Sequence, residues 1–207
     1  HELKVTRDHN GFCKFVMGAS DQALHYEIIR VKRFEGPRGP NPKVVLGDNT
    51  VEPLYDDLQG YEWAEKQITR MALQDFISGT TDKTFSPGEF ISRADYVSMI
   101  VKGLGLAVSF KDNFADIDKK NPYYTQIGIA KELNIVTGDG NNMFRPSDKL
   151  TREELLTITT RALEAAQRKQ KQEYIQRIND LWKETIGPSE FVTRAEAAYI
   201  AYIVIWE

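Results

Sequence analysis

The chain has 207 residues, is 41% hydrophobic and 28% charged, and carries a formal net charge of −3. That is globular material, neither disordered nor membrane-embedded, with no general pull towards nucleic acid or anionic membrane, so any anion site must be local. The single cysteine, Cys13, excludes an internal disulfide framework and cannot supply a zinc knuckle.

The chain opens at His1 with no initiator Met and no leader, as a processed product or a fragment would. Its first 50 residues hold two stretches, His25–Phe34 and Lys43–Leu46, that alternate or cluster β-branched side chains and predict strands. Glu35–Pro42 between them, EGPRGPNP, is a turn-rich connector. Strands need neighbours for their edges. Residues 1–50 are therefore expected to be a β-rich segment, the end of an upstream domain or a linker.

Beyond residue 50 the chain repeats itself. A unit at 51–109 predicts a helix from about Tyr61, with Trp63, Ile68, Met71, Ala72 and Phe76 on one stripe and Gly79 as its stop. A loop with Asp82, Pro87 and Gly88 follows. Then Val97, Ile100, Val101 and Leu104 recur at i, i+3, i+4 and i+7, a second helix. Residues 110–166 repeat this at a constant offset of 59: Gly79 meets Gly138, Phe85 meets Phe144, Pro87 meets Pro146 and Arg93 meets Arg152. Helices are expected near Tyr123–Leu133 and Arg152–Ala166. A third unit, 167–207, keeps Pro188 and Arg194 but has Asp180 and Ile186 where the others have Gly and Phe. Because no Gly or Pro interrupts Arg152–Ile186, the last helix of unit two is expected to run on with little break. Ala197–Trp206 is apolar throughout, yet about half the length of a membrane span, and is expected to be a buried helix.

All three units carry one block: ISRAD at Ile91–Asp95, LTREE at Leu150–Glu154 and VTRAE at Val192–Glu196. Ser92, Thr151 and Thr193 occupy N-cap positions, and an acid three residues on completes a capping box or its shorter Asp version. Capping explains the hydroxyl and the acid but not the arginine. A cation at the first helical position faces the positive end of the helix dipole, at a cost of about 0.3–1 kcal/mol. Arg93, Arg152 and Arg194 therefore need another partner. It is either an internal carboxylate, such as Asp57 or Asp116, or an external anion held by free backbone N–H groups together with the guanidinium.

These blocks, the FISG and IVTG stretches at Phe76–Gly79 and Ile135–Gly138, the Phe-x-Pro loops and the FAD triplet at Phe114–Asp116 together resemble the S-layer homology domain. The resemblance covers roughly Tyr55 to Glu207, with a degenerate third repeat. It implies a mainly α fold: a pseudo-threefold assembly of helix-loop-helix repeats with a central helix bundle and grooves between the repeats. It implies a bacterial cell-surface module in the cell wall or S-layer, bound non-covalently to an anionic, pyruvylated secondary cell-wall polysaccharide. By the same resemblance Arg93, Arg152 and Arg194 would read the pyruvate carboxylate, with Ser92, Thr151 and Thr193 beside them. Gly79 and Gly138 would let backbone approach the sugar, and Trp63 would flank a groove. Ser92 and Asp95 depart from the Thr and Glu of the family block, Glu153 from its Ala, so one or two working grooves are expected rather than three.

No enzyme is expected. The histidines His1, His9 and His25 all lie in the N-terminal segment, and no nucleophile elbow, P-loop or zincin motif occurs. No cofactor motif is present. Asp139 in GDGNN cannot start a calcium loop, because position five is Met143 and position twelve Leu150. RKQKQ at Arg168–Gln172 is the wet face of a helix, not a nucleic-acid site, and no membrane insertion is expected. The rival function is structural: the same trimeric module joining other surface proteins, or copies of itself, with little or no glycan binding.

Overall fold

The computed structural model describes residues 3–7, 13–17, 54–168, 171–185 and 190–206. The chain divides into two compact units, 1–52 and 53–207. In the first, β1 (Leu3–Arg7) pairs antiparallel with β2 (Cys13–Met17), Leu3 opposite Met17 and Arg7 opposite Cys13. The strands expected at His25–Phe34 and Lys43–Leu46 lie outside the described residues.

The second unit is helical: α1 (Glu62–Leu73), α2 (Arg93–Gly103), α3 (Tyr124–Glu132), α4 (Arg152–Ala165), α5 (Lys171–Thr185) and α6 (Arg194–Trp206). The inner helices α2, α4 and α6 begin with the three arginine blocks, and α2 packs on both of the others. Each outer helix packs on an inner helix of a different repeat: α1 on α6, α3 on α2 and α5 on α4. The repeats are thus closed in a ring. Each repeat covers most of its apolar face with helices of the other repeats, which is why they occur together. α6 is buried from Arg194 to Ile205 except at Tyr199, which accounts for its uniformly apolar sequence.

The pseudo-threefold axis passes through a triangle of backbone hydrogen bonds. The Ile91 N–H donates to Val192 O at 3.0 Å, the Val192 N–H to Leu150 O at 2.9 Å, and the Leu150 N–H to Ile91 O at 3.0 Å. All three side chains are fully buried. The aliphatic position of the repeated block is therefore the hub of the fold, and unit three takes its full place there.

Helix ends explain two departures from expectation. Gly79 does not stop α1. The helix ends at Leu73, and Asp75 adopts φ 55° while the Phe76 N–H returns to Met71 O and the Asp75 N–H to Ala72 O. That is a Schellman closure with Asp in the left-handed position. Asn134 does the same after α3. Nor does α4 run on into α5. Gln167 at φ 56° closes α4 in the same pattern, with Arg168 N–H on Leu163 O. A non-glycine residue in this conformation leaves no strong mark in sequence. Asp180 lies inside α5, so the ungapped match of Asp180 to Gly79 and Gly138 fails. Ile186 lies outside the described residues.

One polar pair sits in the bundle core. The Tyr96 hydroxyl meets Thr159 Oγ1 at 2.6 Å, and Thr159 also donates to Leu155 O at 2.7 Å. Both residues are fully buried, and burial pushes the Tyr96 phenol well above its ordinary range. Thr159→Val strands the Tyr96 hydroxyl without a partner, at an expected cost of about 1–3 kcal/mol. Tyr96→Phe leaves Thr159 its bond to Leu155 and is expected to cost less, about 0.5–1.5 kcal/mol. Urea denaturation of the two variants checks the order.

Candidate functional site

Each arginine of the block leaves its own repeat. Arg93 donates through Nε to Phe144 O at 3.1 Å, and its guanidinium lies over the Phe144 ring and pairs with Glu154 at 2.5 Å. Arg152 lies over the Trp182 ring and reaches Glu196 at 3.4 Å. Arg194 donates through Nε to Phe85 O at 2.9 Å and through Nη2 to Ser78 O at 2.5 Å, with its guanidinium 4.6 Å from the Phe85 ring centroid. The order is cyclic: unit one reaches to two, two to three, three to one. Arg152 Nε and Trp182 Nε1 are both buried without an acceptor among the described residues.

The hydroxyls cap as expected. Ser92, Thr151 and Thr193 accept from the N–H groups of Asp95, Glu154 and Glu196. Glu154 and Glu196 reach back to the N–H groups of Thr151 and Thr193. Asp95, one methylene shorter, makes no return bond to the Ser92 N–H and instead accepts from the Ser92 hydroxyl at 2.6 Å.

Two expectations about the arginine partner are corrected. The helix N-termini hold no free backbone N–H groups at their first positions. Arg93, Arg152 and Arg194 donate their N–H groups to Asp148, Glu190 and Glu89 carbonyls, and Ala94 and Ala195 to Pro146 and Pro87. The neighbouring repeat's loop has taken the place an anion would occupy. Nor are Asp57 and Asp116 the partners. Each clamps two N–H groups of its own repeat's loop: Phe85 and Ser86 for Asp57, Phe144 and Arg145 for Asp116, at 2.6–2.8 Å. Asp139, likewise, accepts from Asn141 and Met143 N–H groups and from Arg145, and these bonds hold its carboxyl below the usual range.

Arg194 differs from its two counterparts. It makes no ion pair among the described residues, and its Nη1 has no acceptor there. The arginine borders a polar cleft of about 190 Å³ lined by Ser78, Gly79, Asp95, Lys102, Tyr123 and Arg194, so all three repeats contribute. Tyr123 donates to Asp95 Oδ1 at 2.5 Å. Burial, then the bond to Asp95, push the Tyr123 phenol up to about 12, against a smaller opposing effect of Arg194. Lys102 donates to Asp75 O across the cleft rim at 3.3 Å.

Of the sequence-predicted residues, the cleft gathers only Arg194 and Gly79. Gly138 packs against the Phe114 ring instead. Trp63 packs between Tyr61 and Tyr199, away from the cleft. Tyr123, Ser78 and Lys102 were not singled out by sequence. Asp95 was, but as a capping acid and not as a site residue: it is the short acid in a block that elsewhere has Glu. A second, more open depression of about 380 Å³ between α4 and α5 holds none of the predicted residues.

The ring of helix-loop-helix repeats, with inter-repeat arginine contacts, defines a cyclic three-repeat module. The family model for the S-layer homology domain matches residues 54–97 and 113–156, so the first two repeats are S-layer homology domains. The chain beyond residue 156 lies outside those matches; Val192 bonds to the first two repeats in the backbone triangle. Similar proteins include an endoglucanase of Bacillus sp. (strain KSM-635), 37% identical over 110 residues, which are 53% of this chain and 12% of that enzyme. An exoglucanase, XynX, of Acetivibrio thermocellus is 35% identical over 103 residues, 49% of this chain and 9% of the enzyme. S-layer protein EA1 of Bacillus anthracis is 30% identical over 99 residues, 47% of this chain and 12% of that protein. The matched stretches are thus about a tenth of these relatives' length. What is shared is the repeat module, in enzymes and in S-layer proteins alike. Among the described residues no helix is long and apolar enough to cross a membrane.

Proposed function

We propose that this module anchors a bacterial surface protein to the cell wall by binding an anionic secondary cell-wall polysaccharide in the Arg194 cleft. The observation that carries the reading is the arginine without an internal carboxylate: Arg93 and Arg152 are paired, and Arg194 is not. Its Nε and Nη2 are fixed by two carbonyls, so Nη1 is pre-aimed and little rotamer entropy is lost on binding. A carboxylate such as the ketal-linked pyruvate of the family's usual ligand suits that donor. Gly79 gives the floor its low profile, and Tyr123 and Ser78 offer polar groups to sugar hydroxyls. One such site is modest in affinity; many copies on one surface supply avidity through effective concentration.

The test is co-sedimentation with Gram-positive sacculi. The wild-type module is expected to pellet, and pelleting is expected to vanish when the polysaccharide is stripped or its pyruvate removed. Pelleting indifferent to both treatments sinks the proposal.

The internal pairing of Arg93 and Arg152 favours a second reading for the rest of the ring. Those two junctions act as structural joints, and the module serves protein–protein assembly there. Glycan-independent self-association by light scattering is its expected mark.

A further inference from the structure

We infer that Asp95 and Tyr123 form a latch that keeps the Arg194 cleft open, and that the length of the acid at residue 95 decides whether this junction binds a ligand or closes on itself. The inference rests on the reading of the Arg194 cleft as the anion site.

The three junctions are related by the ring and can be compared group by group. At each, the arginine of one repeat approaches the N-terminus of the next repeat's inner helix, where the third helical residue is an acid. At the first junction that acid is Glu154, and it pairs with Arg93. At the second it is Glu196, and it pairs with Arg152. At the third the corresponding acid is Asp95, and no pair with Arg194 forms. Two causes act together. Aspartate is one methylene shorter than glutamate, so its carboxylate stays close to its own helix. Both of its oxygens are also taken: Oδ2 by the Ser92 hydroxyl at 2.6 Å and Oδ1 by the Tyr123 hydroxyl at 2.5 Å.

Tyr123 comes from the repeat that supplies neither Asp95 nor Arg194. It is the N-cap residue of α3, whose backbone is fixed by an N–H bond to the Asn121 side chain at 2.9 Å. The charged groups lining the cleft are Arg194, Lys102, Asp75 and Asp95. Of the two acids, Asp95 alone stands where its counterparts pair with arginine. Holding it aside leaves the guanidinium edge for an incoming carboxylate, and an ion pair there would have to be broken before a ligand could bind.

Asp95→Glu restores the acid found at the other junctions and tests the latch by two measurements. Pelleting with pyruvylated sacculi is expected to weaken at least tenfold, with helical circular dichroism unchanged. Independently of any ligand, the longer carboxylate of the variant is expected to leave Tyr123 for Arg194. The Tyr123 phenol then ionises at lower pH than in the wild type, read residue by residue by NMR of ring-labelled tyrosine. A structural acid that simply tolerates either length moves neither quantity. Wild-type affinity in the variant, or an unshifted Tyr123 titration, overturns the latch. Failure of the wild-type module to pellet at all defeats the anchoring reading instead, and the Tyr123 titration still decides whether the acid switches partner.

Discussion

Arg194→Ala is expected to weaken sacculus binding by about 10- to 150-fold, whereas Arg93→Ala keeps most of it. That range follows from the loss of one hydrogen bond between charged groups, about 1.5–3 kcal/mol, at roughly 1.4 kcal/mol per decade. Arg93→Ala is the matched control because it removes a comparable set of structural contacts. It loses a bond to the Phe144 carbonyl, a contact with the Phe144 ring and the ion pair to Glu154. Arg194→Ala loses bonds to Phe85 and Ser78 carbonyls and a contact with the Phe85 ring. Both variants are expected to unfold at lower temperature, so binding is measured well below either transition. The discriminating quantity is the difference between them. Equal loss of pelleting in two folded variants would place the anion contact elsewhere in the ring. Arg194→Lys is expected to resemble alanine more than arginine, because a lysine keeps the charge but cannot bridge two carbonyls and a ligand with a planar fork.

The repeat architecture was legible because the 59-residue offset survives ungapped through two units, and because capping chemistry is local. Ser92, Thr151 and Thr193 lie three residues before their partners, and such bonds follow from spacing alone. What spacing could not give was which repeat completes which site. The carbonyls that satisfy the Arg93, Arg152 and Arg194 N–H groups come from loops 55, 38 and 105 residues away in sequence, with no local signature. The helix dipole does raise the question of why a cation sits at each helix start, and the answer differs between junctions. An acid of the same chain neutralises two of the arginines, and the third is held by carbonyls at the edge of a cleft. The distinguishing mark, Asp95 in place of Glu, was visible as a departure, but its consequence depends on Tyr123, 28 residues on, reaching the same carboxylate. The closing of α1 was hidden for another reason. Asp75 accepts the left-handed conformation usually given to glycine, so Gly79 drew that helix end too far along the chain, whereas its counterpart Gly138 did not: α3 ends where expected, with Leu133 as its C-cap.

Those two glycines serve packing, and their replacement gives the second large effect. Gly79→Ala is expected to destabilise the module by about 3 kcal/mol, Gly138→Ala by about 1 kcal/mol, within the usual cost of overpacking. An alanine Cβ at residue 79 would lie 2.5 Å from the carbonyl oxygens of both Thr81 and Thr84 and 2.6 Å from the Tyr55 ring. The carbonyls cannot retreat easily. Thr81 and Thr84 bond to each other through backbone and side chain, and Asp57 clamps the next two N–H groups. At residue 138 the nearest atoms are 2.8 and 3.0 Å away on the Phe114 ring, with one carbonyl, Met143 O, at 3.1 Å. A ring can tilt where a pinned loop cannot. For a module of this size 1 kcal/mol shifts the melting temperature by roughly 2–4 °C, so the two variants should differ by several degrees in scanning calorimetry. The effects should diverge in binding too. Gly79 follows Ser78, whose carbonyl holds Arg194, so displacing it also misaims the guanidinium. Gly138 lies in the loop of the Arg93 junction, where glutamate already fills the arginine. Gly79→Ala is therefore expected to lose pelleting even at temperatures where it is fully folded, and Gly138→Ala to retain it. Equal melting temperatures for the two, or retained pelleting in folded Gly79→Ala, would contradict the role given to this loop.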